Sequence, residues 1–156
     1  MSEQQEATFG VEKIYLKDAS LEIPHAPQVF LETEGPQIEV SLHSQAAALD
    51  AGMFEVVLTV TVTAKLKDKT VFLVEAAQAG IFQILNIPAE NMDAVLAVTC
   101  PGVLLPYARE AVSSLVMRAG FPPVVLQHMS FEALYQQRLQ QQTQQPQQND
   151  TPPQSH

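Results

Sequence analysis

The sequence predicts an α+β domain whose strands come first and whose helices follow. From Phe54 to Leu66 the even positions are Phe, Val, Leu, Val, Val, Ala and Leu, and polar residues take most odd ones. That period of two belongs to a long strand with one buried face. Beyond Pro88 the apolar spacing turns helical, ending with Phe131, Leu134, Tyr135, Arg138 and Leu139 at i, i+3, i+4, i+7 and i+8. Strands and helices segregated along a chain are the mark of the α+β class. With 156 residues, 46% of them hydrophobic, the chain can build one domain with a real core.

Short alternations around Val11, Ile14, Tyr15 and Leu16 predict a first strand over residues 9–23. Pro24 and Pro27 then forbid regular structure, and the acidic run to Gly35-Pro36 continues the loop. Ile38, Val40 and Leu42 alternate with Glu39, Ser41 and His43, which predicts a half-buried strand. After Phe54–Leu66, the polar turn Lys67-Asp68-Lys69 predicts an antiparallel hairpin with residues 70–85. That second arm is apolar on both faces in places, Phe72, Val74 and Ala76 against Val71 and Leu73, so it needs cover on both sides. Met92, Val95 and Leu96 make a short amphipathic turn that Cys100-Pro101-Gly102 is expected to break. Val103 to Ala119 reads as a longer helix, apolar on nearly every side, which argues for burial on more than one side and for oligomerisation. Gly120 ends it and Pro122-Pro123 prevents its return. Ser130 is placed to cap the last helix, with Met129 set to staple against Leu134. The Gln/Pro-rich stretch beyond it has nothing to bury and predicts no fixed structure.

The net charge of −9, with only 8 Lys and Arg, disfavours nucleic acid, because phosphate binding needs a basic footprint. No stretch reads as about 20 consecutive apolar residues, so direct membrane insertion is not expected. Met1 to Thr8 is polar and acidic without an apolar h-region, and Cys100 is the single cysteine; both point to a reducing, cytoplasmic location. The four histidines show no metal-ligand spacing, and no phosphate-binding loop, dinucleotide fingerprint or nucleophile elbow is present. Carboxylates are spread along strands and loops without a spacing that argues for an acid–base pair. Pattern alone gives an acidic, oligomeric α+β binding protein with no visible catalytic machinery, no metal and no cofactor.

Five collinear blocks resemble the SecB family of protein-export chaperones. They are Ile14-Tyr15-Leu16-Lys17-Asp18 with Glu22; Phe54 to Ala64; Phe72-Leu73-Val74-Glu75 with Gln78 to Phe82; Cys100 to Glu110; and Phe121-Pro122 followed by Phe131 to Tyr135. Together they cover most of residues 9–139, leaving 1–8 and 140–156 outside the chaperone domain. The resemblance implies a four-stranded antiparallel sheet with helices packed on one face, assembled as a dimer of dimers. It implies a non-enzymatic holdase without ATPase or cofactor. Such a protein holds unfolded precursor proteins and delivers them to the SecA motor. A SecB-like chaperone dedicated to one toxin–antitoxin client is the alternative within the family.

In the family the client groove lies between the proline-rich crossover loop and the last helix. Here that points to Val29 and Phe30 on the loop, Ile38, Val40 and Leu42 on the adjacent strand, and Phe131, Leu134 and Tyr135 on the helix. Family members often carry a tryptophan late in this loop, where this chain has Glu34. The positions matching the motor contact are Asp18, Glu22, Leu73 and Glu75. Leu73 and Glu75 share one strand face, as do Asp18 and Glu22 if the first strand is unbroken between them.

Overall fold

A computed structural model describes residues 5–144. Its centre is the predicted hairpin: β3 (Met53–Leu66) and β4 (Lys69–Leu85), with β1 (Thr8–Glu22) and β2 (Gln37–Ala48) on its flanks. Lys67, first in the hairpin turn, takes φ 56°. Val62 pairs with Val74, Val60 with Ala76 and Ala64 with Phe72, so the apolar rows of β3 and β4 share one face. Along that face Val56, Leu58, Val60, Val62 and Ala64 are completely buried. All pairings are antiparallel, in the order β1-β4-β3-β2. The chain must therefore pass from one edge of the sheet to the other between β1 and β2. It does so through residues 23–36, which include the cis Ala26–Pro27 bond and a short 3₁₀ turn, Gln28–Leu31. Val71 is the extra residue of a β4 bulge, and the crossover covers it: Val29 packs against the core there. The bulge thus brings Val71 into the same core as Phe72 and Val74, and of the two second-face residues named from sequence only Leu73 remains on the outer face.

The helices lie on the apolar face. The expected break at Cys100-Pro101-Gly102 is absent: one continuous helical run spans Ala89–Arg118. It consists of α1 (Ala89–Ala94), a π-helical turn (Val95–Thr99) and α2 (Cys100–Arg118). The change to a wider turn just before Cys100 puts Pro101 in the first turn of a new α-helical ladder. A proline there forfeits no hydrogen bond. Cys100, Leu104, Leu105, Ala108, Val112 and Val116 of α2 are buried against β3 and β4. A Cβ at Gly80 would come within 3.1 Å of Leu104 Cδ2, so glycine there is what lets the helix seat this closely. The run is long enough for a bilayer, yet this packed face identifies it as a core helix. Burial alone pushes the Cys100 thiol up to about 12, which leaves it an inert small hydrophobe.

The end of α2 sets the course of the next ten residues. Gly120 takes φ 88°, its N–H donates to Met117 O, and Phe121 N–H donates to Val116 O, the paired bonds of a Schellman cap. The turn delivers the Phe121 ring onto Phe72 (centroids 4.9 Å apart) and Phe30 (5.3 Å). Residues 121–130 then run without regular structure to α3 (Phe131–Gln144). Ser130 Oγ accepts from Ala133 N–H, the cap expected from sequence. The helix continues five residues past Leu139, where sequence ended the domain; of the termini predicted to lack fixed structure, 1–8 and 140–156, Thr8 belongs to β1 and 140–144 to α3, and residues 1–4 and 145–156 lie outside the described residues. Gly120→Ala should lower stability by about 1–3 kcal/mol, because φ is left-handed and the new Cβ would meet Phe30 Cε1 at 3.3 Å. Thermal midpoints at one fixed protein concentration check this; an unchanged midpoint would mean that the cap can relax without cost.

Candidate functional site

Between β2 and α3 lies an open groove of about 940 Å³. Ile38 and Val40 of β2, with Phe72 behind them, line one side. Residues 121–130 line the second, and Ala133, Leu134 and Gln137 of α3 the third. Ile38 and Val40 pair with Ala64 and Val62 and so face the helices, but they stay 41% and 43% exposed. The alternation gave the right face of β2 and overestimated its burial, because the cover stops short of this edge. β2 also pairs only with β3, so its outer backbone donors and acceptors are unpaired by the sheet.

Of the eight residues expected in the groove, Ile38, Val40 and Leu134 line it. Phe131 is buried in the core, the only residue of α3 that is. Leu42 is partly buried and packs against the core. Tyr135 lines a separate hollow of about 350 Å³, with Ala46, Leu96 and Leu139. Helix geometry explains the split. At about 100° per residue, Leu134 and Leu139 fall roughly 140° apart, on opposite flanks of Phe131. Val29 and Phe30 line a third hollow, of about 230 Å³, which the Phe121 ring also borders; Glu34 lines it too. Sequence reasoning missed the wall at residues 121–130. A signal was present: Val124, Val125 and Leu126 follow two prolines, an apolar run with no element of its own in which to be buried. Val125 remains 75% exposed.

Among the described residues, the opposite face of the sheet carries no helix. Glu22 pairs with Leu73, Ser20 with Glu75 and Asp18 with Ala77, so Asp18, Glu22, Leu73 and Glu75 all lie on this outer face beside the β1 edge. The condition on the first strand is met in a particular way: β1 has two bulges, but the extra residues, Glu12 and Lys17, both precede Asp18. Among the described residues the ion pairs are Lys17–Glu55 and Lys65–Glu39, and neither uses an acid of this row. Glu75 accepts a hydrogen bond from Thr61 Oγ1 at 3.1 Å. Leu73 sits partly buried opposite Glu22 and two positions from Glu75, with Asp18 farther along the same row, opposite Ala77.

Next to this row, Glu55 of β3 receives Lys17 Nζ at 2.8 Å and the Tyr15 hydroxyl. Donation from Lys17, then from Tyr15, holds the Glu55 carboxyl below its ordinary range. The bond to Glu55, with burial added, pushes the Tyr15 phenol from 10.0 up to about 12. Above pH 10.0 the unfolded chain releases this proton while the folded chain keeps it until about 12, so stability should fall with rising pH across that window. Difference spectra of the parent and Tyr15→Phe isolate this phenol. A midpoint at 10.0 in the folded protein would remove the contact.

The comparisons with known proteins agree with this frame. The family model "Preprotein translocase subunit SecB" matches residues 2–142. The protein-export protein SecB of Chromobacterium violaceum is 65% identical over 144 residues, covering 90% of this chain and 96% of that one. The one from Methylobacillus flagellatus is 59% identical over 141 residues, covering 90% of each. Among solved structures, the SecB-like chaperone of Mycobacterium tuberculosis, in complex with an antitoxin peptide, aligns with TM-score 0.65 at 22% identity. It covers 78% of this chain and 91% of that one, and it carries the fold alone. A sheet with one open flank, an apolar groove and matches along nearly the whole length agree: the chain belongs to the SecB family of protein-export chaperones, a non-enzymatic role.

Proposed function

We propose that this chain is an ATP-independent holdase of the cytoplasm, assembled as a dimer of dimers, that keeps precursor proteins unfolded and delivers them to SecA. The observation that supports client holding best is the groove between β2 and α3. It offers apolar side chains and an unpaired strand edge in one place. An unfolded segment can add its backbone to such an edge while its side chains enter the groove. Each aliphatic or aromatic client side chain buried there contributes ~1.5–3 kcal/mol before ordering costs. Several weak subsites along one chain then add through effective concentration. A folded client has already buried these groups, so selection for the unfolded state follows.

Two further observations support the assembly and the delivery. Phe9, Val11 and Leu16 of β1 and Tyr107 and Met117 of α2 stay 38–53% exposed, an apolar surface that a second copy would cover. Asp18, Glu22 and Glu75 present carboxylates along one row that ends at Leu73, a surface suited to a basic partner segment with an apolar anchor. The relatives at 52–65% identity are all named protein-export proteins, which favours export over a dedicated toxin–antitoxin client.

The test uses two variants, each first shown by light scattering to have about four times the 17.1 kDa chain mass. A parent that scatters as a monomer would end the assembly reading. Val125→Asp with Leu134→Ser should weaken binding of an unfolded client at least tenfold and leave SecA binding intact. Phe131→Ala is the wrong probe, since its ring is core and its loss should destabilise the protein by about 3–5 kcal/mol. Asp18→Lys with Glu75→Lys should weaken SecA binding, flatten its salt dependence and spare the client. Equal loss of both activities in either variant would refute separate surfaces.

A further inference from the structure

The bulge at Lys17 decides which way the acidic row points. Leu16 pairs with Gln78 and Asp18 with Ala77, so Lys17 is a residue with no partner on β4. Upstream of it Lys13 and Tyr15 lie on the outer face, and downstream Asp18, Ser20 and Glu22 do. Without the extra residue, strict alternation would turn Asp18, Ser20 and Glu22 toward the helices and Ala19 and Leu21 outward. A bulge in an edge strand is paired on one side only, so contacts outside the ladder, such as the packing of Leu21 against the core, bear on its position.

The structure supplies a fixture on each face. On the outer face Glu55, two strands away on β3, takes Lys17 Nζ at 2.8 Å and the Tyr15 hydroxyl, spanning β4. On the helix face Gln78 Nε2 donates to Tyr15 O at 3.1 Å. Gln78 is the one buried polar residue of the described chain, 4% exposed, and this bond gives its amide N–H a partner. Residues on both sides of Leu16 are thus tied to β3 and β4 by groups outside the backbone ladder.

We propose that Glu55 is a positioning residue for partner docking: by holding Lys17 and Tyr15 it fixes the β1 bulge and so sets Asp18, Ser20 and Glu22 on the outer face. The proposal rests on the reading of that row as the SecA contact. The low proton affinity of Glu55 agrees with it, since a carboxylate held by two donors stays charged and keeps both.

The discriminating variant is Lys17→Glu. It makes the outer face more acidic, so attraction of a basic partner by charge alone predicts tighter SecA binding. The clamp predicts the reverse, because two facing carboxylates repel and release the bulge. We expect SecA affinity to fall about tenfold and the amides of residues 18–22 to exchange faster with solvent. The swap Lys17→Glu with Glu55→Lys restores an ion pair at unchanged net charge, and should return both quantities to within about threefold of the parent. Client binding should stay at the parental level in both. Equal or tighter SecA binding by Lys17→Glu, or a swap that rescues neither quantity, overturns the proposal. Faster exchange with unchanged SecA affinity also overturns it, provided that Asp18→Lys with Glu75→Lys does weaken SecA. If that double variant binds SecA normally, the docking reading falls instead, and amide exchange with its rescue decides whether Glu55 fixes the bulge.

Discussion

One helix cannot cover four strands, and most of this protein's architecture stems from that mismatch. A helix with its side chains is about 10–12 Å across. Four strands at about 4.8 Å spacing span roughly 14 Å between the outer two axes alone. α2 therefore buries the rows of β3 and β4, down to Val56, Val60, Val74 and Phe82 at 0% exposure, and leaves both flanks short of cover. On the β2 flank an irregular segment and a lightly attached α3 cover part of the gap and leave a groove. On the β1 flank Val11 and Leu16 stay about half exposed among the described residues. The same shortfall yields an apolar channel on one side and a surface suited to a second copy on the other.

What was legible in the sequence was whatever obeyed a period. The alternation from Phe54 to Leu66, the turn at Lys67-Asp68 and the glycine at the end of α2 each stand where periodicity or turn chemistry put them. What was hidden were departures from a period by one residue. The π-helical turn at Val95–Thr99 absorbs a proline that local rules read as a break. The bulges at Glu12 and Lys17 leave only a faint trace: the apolar positions shift from Phe9 and Val11 to Ile14 and Leu16 and back to Ala19 and Leu21, with the polar pairs Glu12-Lys13 and Lys17-Asp18 at the two steps. The apolar stripe of α3 is plain from its spacing, but its consequence is not, because a stripe about 140° wide has two flanks that face different hollows. Residues 121–130 were the hardest to see, being apolar without any period.

The groove wall is built for adjustment. Its segment at residues 121–130 has no ladder hydrogen bonds, and α3 buries only Phe131 fully, with further packing against the π-helical turn Val95–Thr99. An unladdered backbone lowers the local stability of such a region, while Phe121 and the buried Leu126 pin it to the core. A binder of many sequences needs that adaptability on one wall and a rigid edge on the other. Here β2, paired along its whole length with β3, supplies the rigid edge.

The groove and the acidic row also occupy opposite edges and opposite faces of one sheet. The groove uses β2 and the helix side; the row uses β1, β4 and the outer side. Between them stand β3 and β4, the most completely buried strands of the chain. On the proposed reading, a partner on the outer face has no steric quarrel with a client in the same subunit. Release would then draw on the partner's own grip on the client, or on motion in the irregular wall, rather than on direct displacement within one subunit, since the closely packed sheet stands between the two surfaces.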